Sequence, residues 1–181
     1  MTEVTSAHIS ETRIPQTIQW EMATDIGKAV DTHEDRLKER LKQLGWDDDE
    51  TFKIGLTFRE WLVNAMVHGN MGPLQKEEVG EEAWDKVIEE RQKQAQATGK
   101  KVRVTGSVSD ERVELIIQDQ GKETREFWLG HRRSPVKEGL MDTSNRGWYL
   151  AEHLMNSISF KKTPEGLEVT LIRDKNLPLP K

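Results

Sequence analysis

The chain has 181 residues, 34% hydrophobic and 33% charged, with a net charge of −5 and no cysteine. This length favours one domain with a substantial core, and the missing cysteines exclude disulfides, thiolate metal sites and a cysteine nucleophile. No apolar run approaches the roughly 18–20 residues that cross a bilayer, Met1 to Gln19 lacks the pattern of a secretory signal, and an acidic chain is a poor direct partner for nucleic acid. The expectation is a cytoplasmic protein without membrane or direct nucleic-acid contact.

Residues 1–16 read as a flexible N-terminal segment. Thr17 to Met22 alternates apolar and polar residues and predicts a strand. Asp25 is a capping residue for a helix running to about Leu44, which Gly45 stops and Trp46 covers. Within it His33-Glu34-Asp35-Arg36 resembles a phosphoacceptor histidine followed by acid. No dimerisation helix accompanies it, so His33 is expected to be a solvent-exposed helical residue. Asp47-Asp48-Asp49 opens a second helix, from about Asp49 to His68. Gly69-Asn70-Met71-Gly72-Pro73 then breaks the chain.

Gln75 to Thr98 is highly charged, with Trp84, Val87 and Ile88 as its apolar positions, and predicts a largely exposed helical insert at about 74–98. From Leu74 to Ala97 there are four basic and seven acidic residues, net −3. Lys101 to Val108 and Arg112 to Gln118 form a predicted hairpin about Ser109-Asp110. Lys122 to Ser144 reads as a long loop, and loops of that length are commonly functional. From Lys122 to Arg146 six basic residues face four acidic ones, net +2, an offer to an anion. A helix capped by Ser144 or Asn145 runs to about Asn156. Ser157 to Lys161 and Leu167 to Arg173 are the closing strands, and 176–181 is a tail. This order fits an α+β fold, a two-layer sandwich with a mostly antiparallel sheet and helices on one face.

Three polar groups stand out. Glu60, Asn64 and His68 recur every four residues and share a helix face, opposite Ile54, Phe58, Leu62 and Ala65. A carboxylate can take a proton, and an amide oxygen can bind a hard cation such as Mg2+. His68 can also hold the helix end by hydrogen bonding. Asp119-Gln120-Gly121 ends a strong strand; its carboxylate can accept from an exocyclic amine, and Gly121 lets a ring approach the backbone. Asn145-Arg146-Gly147 opens a helix, a natural phosphate seat. Together the three suit a purine nucleotide with Mg2+.

The motif order resembles the GHKL ATP-binding (Bergerat) fold of gyrase, histidine kinases and mismatch-repair ATPases, and is most similar to the bacterial anti-sigma-factor serine/threonine kinases. The likeness spans Thr17 to Arg173 and rests mainly on Glu60-x-x-x-Asn64-Ala65-x-x-His68-Gly69-Asn70 and on Gly166-x-Glu168-Val169-Thr170-Leu171. It implies one ATP-binding domain over 17–175 with a lid at about 122–144. It implies Glu60 as general base, Asn64 as the Mg2+ ligand, and Asp119 and Gly121 at the adenine. Arg146 and Gly147 would lie at the phosphates. It implies ATP and Mg2+ as cofactors and an anti-sigma antagonist as the phosphorylated partner. A sigma factor and a second copy of the chain are further candidate partners.

The chain departs from the family pattern at three places. Glu123 stands where a second glycine usually follows Asp-x-Gly, Asn145 replaces the first glycine at the lid's end, and Leu167 replaces a frequent threonine. Two readings therefore stay open, a kinase and a non-catalytic protein-binding module on the same fold. A detached histidine-kinase catalytic domain is a third. Trp128, in the lid, and Trp84, in the insert, are candidate contact residues.

Overall fold

The computed structural model describes residues 14–72, 79–122 and 146–179. The segment before Ile14, most of the predicted lid, Trp128, Glu123 and Asn145 lie outside the described residues.

Five strands form one sheet: β1 (Gln16–Ala23), β2 (Lys101–Val108), β3 (Arg112–Gln118), β4 (Ser157–Lys162) and β5 (Leu167–Asp174). Their order is β1-β2-β3-β5-β4, and all four pairings are antiparallel. Alternation along each strand sets which face is covered. Ile18, Trp20 and Met22 of β1 point inward, as do Val102, Val104 and Val108 of β2. Val113, Leu115 and Ile117 of β3 and Leu167, Val169 and Leu171 of β5 continue the same layer. Each such fully buried aliphatic side chain stabilises the fold by about 1.5–3 kcal/mol. The alternate residues, among them Gln19, Arg103, Glu114 and Glu168, stay outside.

The helices cover the inner face. Helix α1 (Lys28–Gln43) buries Val30, His33, Glu34, Leu37 and Leu41. Its cap position is Gly27; Asp25 lies two residues upstream, where its carboxylate accepts from the Gly27 N–H at 3.0 Å. The expected stop is in place: Gly45 has φ +86°, and the Trp46 N–H reaches back to the Leu41 carbonyl at 3.1 Å. His33 corrects an expectation, because it is buried rather than solvent-exposed. Its Nδ1 lies 2.7 Å from the Ala29 carbonyl, and its ring packs 5.4 Å from Trp20, a residue of another element.

Helix α2 (Asp48–Asn64) starts where Asp47 caps the Glu50 N–H at 2.8 Å. Helices α1 and α2 are tied by Arg59, which donates to Asp31 and Glu34; these two hydrogen bonds raise the guanidinium's already high pKa. At the other end of α2, Arg173 sits on the inner face of β5 and donates to Glu50 at 2.7 Å. Arg173 also reaches the Asn156 side chain and the Leu177 carbonyl, which fastens the C-terminal strand end.

The predicted helix to His68 divides in two. Ordinary α-helix ends at Asn64, and Ala65–Asn70 form a π-helical turn. The Met71 N–H bonds to the Met66 carbonyl, five residues back, at 2.9 Å. The polar stripe is therefore regular only through Asn64. Such turns often mark functional positions. The insert is helix α3 (Glu81–Ala97), exposed along most of its surface but anchored by Ile88 and Ala95. Three polar contacts dock it: Arg91 to the Met71 carbonyl, Gln92 to the Ile26 N–H, and Gln96 to the Thr24 carbonyl. Helix α4 (Arg146–Leu154) packs against α2.

Candidate functional site

Glu60 and Asn64 occupy the last turn and a half of α2, and both are partly exposed. Gly147 lies in the first turn of α4 and is buried against them. A Cβ on Gly147 would stand 2.7 Å from Asn64 Nδ2 and 3.5 Å from Glu60 Cβ, so a side chain here would displace the Asn64 amide. The first and third sequence motifs therefore meet. The Arg146 backbone opens α4, and its side chain lies outside the described residues.

Asp119 follows β3 and is 3% exposed. Its N–H donates to the Leu167 carbonyl at 3.1 Å, and its Oδ1 accepts from the Leu167 N–H at 3.1 Å. The carboxylate thus stands in for a backbone carbonyl and extends the β3–β5 ladder by one step. Oδ1 also accepts from the Gly121 N–H at 2.9 Å. Two backbone donors thus share this one oxygen. They also fix the carboxylate's direction.

Asp119 meets the first motif at Gly69. A Cβ on Gly69 would lie 2.6 Å from Asp119 Cβ and closer still to the carboxylate. A Cβ on Gly121 would come within 2.7 Å of Gly69 Cα. Gly166, in the turn before β5, backs onto Asp119 in the same way. All three sequence motifs therefore converge where α2 with its π-helical turn and β3 end and α4 begins. Gly121 and Gly166 are required by close approach to backbone, and Gly69 by close approach to the Asp119 side chain.

Sequence reasoning gave no role to the residues that hold this junction. Asn70 is buried; its Oδ1 accepts from the Gln120 N–H at 2.7 Å, and its Nδ2 donates to Thr24 Oγ1 at 2.9 Å. Lys100 Nζ donates to the Asn70 carbonyl at 2.7 Å, and Thr24 Oγ1 donates to the Lys100 carbonyl at 3.0 Å. The available signal was Asn70 itself, a polar residue directly after Gly69 in the first motif.

Among the described residues no group of three or more His, Asp or Glu side chains could hold a metal on its own. Mg2+ needs few protein ligands when phosphates and waters supply the rest, so the Asn64 amide oxygen would be able to hold it.

An antiparallel sheet covered by helices on one face, with a carboxylate at a strand end near a helix end that carries Glu60 and Asn64, makes a two-layer α+β sandwich. The family of the Histidine kinase-like ATPase domain matches residues 27–173. The chain belongs to this family, within the GHKL group of ATPase domains. No curated protein matches the chain.

Proposed function

We propose that the chain binds Mg-ATP between the α2 end and the Asp119 strand end, and transfers the γ-phosphoryl group to a serine or threonine of a partner protein. The observation that supports this most is the pair of close approaches, Gly147 on Asn64 and Gly69 on Asp119. Asp119 takes the exocyclic amine of adenine, and Gly121 lies beside the ring. The Asn64 amide oxygen holds Mg2+, which supplies charge neutralisation on the phosphates. Arg146 and the N-terminus of α4 at Gly147 receive the phosphates. Glu60 accepts the proton of the attacking hydroxyl. The hydroxyl oxygen forms its bond to the γ-phosphorus as the bond to the β–γ bridging oxygen breaks, and ADP leaves.

The motif likeness to anti-sigma-factor kinases directs the reading to partner switching. The phosphorylated partner is then an anti-sigma antagonist, with a sigma factor or a second copy of this chain as further ligands. A cytoplasmic setting belongs to the same proposal. Among the described residues no helix is long and apolar enough to cross a membrane.

A second reading, a non-catalytic docking module, is favoured by one observation: Asp119 already performs a structural task through Leu167 and Gly121. Labelled ATP incubated with the protein and extract of its host separates the two. The kinase reading expects phosphoserine or phosphothreonine on a captured partner, lost in Glu60→Gln while ATP binding persists. Intact transfer by Glu60→Gln removes Glu60 from its role; binding of a partner without any transfer favours the docking module.

A further inference from the structure

We infer that Asn70 is a positioning residue of the nucleotide site. Its buried carboxamide locks the π-turn carrying Gly69 to the Asp119–Gly121 segment, and so holds Asp119 in the orientation that selects the base. The inference rests on the reading of Asp119 as the group that faces the purine.

Asn70 is 2% exposed, and its polar groups reach three separate parts of the chain. Oδ1 holds the Gln120 N–H, Nδ2 holds Thr24 at the end of β1, and the carbonyl receives Lys100 from the start of β2. Gln96 of α3 fastens the same cluster at the Thr24 carbonyl, at 2.8 Å. The Gln120 side chain returns to the sheet, accepting from the Lys101 N–H at 2.8 Å.

The geometry at Gln120 matters most. Its N–H belongs to the peptide unit that follows Asp119, so the Asn70 bond fixes that peptide plane. The β5 side fixes Asp119 through Leu167. One contact thus holds the peptide that follows Asp119, and the other holds its carboxylate. A carboxamide suits the task because it accepts and donates at once and brings no charge beside Asp119. An apolar residue at this position leaves the Gln120 N–H without its acceptor and removes the donor to Thr24 Oγ1, which keeps its own bond to the Lys100 carbonyl. A purely structural cap affects stability alone. A positioning residue also affects which base is preferred.

The test titrates Mg-ATP and Mg-GTP into the wild type and three variants: Asn70→Ala, Thr24→Val and Glu50→Ala. Glu50→Ala is the control, since it breaks a partly buried contact at the far end of α2. The wild type is expected to prefer ATP. Asn70→Ala loses about tenfold of that preference, and Thr24→Val about threefold. Glu50→Ala keeps the wild-type ratio although its unfolding midpoint falls. Asn70→Ala that is destabilised like Glu50→Ala but keeps the ratio overturns the inference. If Asn70→Ala does not fold, an unchanged ratio in Thr24→Val does the same. Wild-type protein that binds neither nucleotide overturns the base-site reading and this inference with it. Wild-type preference for ATP with unchanged variants overturns only the role of Asn70.

Discussion

Gly69 lies flat against the Asp119 carboxylate, with no space between them for a methyl group. Gly69→Ala must therefore push the strand end away from the π-turn. Overpacking of this kind costs about 1–3 kcal/mol. A lower midpoint in chemical denaturation and a weaker ATP isotherm are the expected results. A variant as stable and as tightly binding as the wild type contradicts the packing described.

Asn64 is the only protein group assigned to Mg2+. Asn64→Ala is expected to remove the Mg2+ dependence of ATP binding and to weaken Mg-ATP by about tenfold or more. Tryptophan fluorescence titrations with Mg2+ and with EDTA measure it. Equal Mg2+ enhancement in variant and wild type moves the metal elsewhere.

Arg173 and Glu50 form a partly buried contact remote from the site. Arg173 keeps its Asn156 and carbonyl partners when Glu50 is removed, which limits the loss. Glu50→Ala is expected to cost about 1–3 kcal/mol in urea unfolding. ATP affinity is expected to stay at the wild-type value.

The insert α3 is fastened by Arg91 and Gln96 to the rim of the site. The double variant Arg91→Ala and Gln96→Ala is expected to speed amide exchange along Glu81–Ala97 and around Asn70. The sheet strands β3 and β5 keep their protection. Exchange confined to α3 alone contradicts its coupling to Asn70 through Thr24.

The sheet was legible because one face is buried and the other is not. Alternation in Lys101–Val108 and Arg112–Gln118 located both strands to the residue, and Asp119 at a strand end followed from it. The shared face of Glu60 and Asn64 was legible from helical spacing. The π-turn was not, because a ladder reaching back five residues leaves no mark in composition. His33 was read as exposed because its cover, Trp20, comes from a different element. The Asn70 cluster joins Thr24, Lys100 and Gln120, residues 30–76 positions apart in its individual bonds, and only the folded sheet brings them together. Arg173 was readable in principle, since the period of β5 puts it on the inner face after Leu171.

Calorimetric titration of Mg-ATP into the wild-type protein tests the nucleotide site most directly. A saturable isotherm with a Kd on the order of micromolar, lost in Asp119→Asn, is the result predicted. Absence of heat at millimolar Mg-ATP, or an isotherm that Asp119→Asn leaves unchanged, contradicts it.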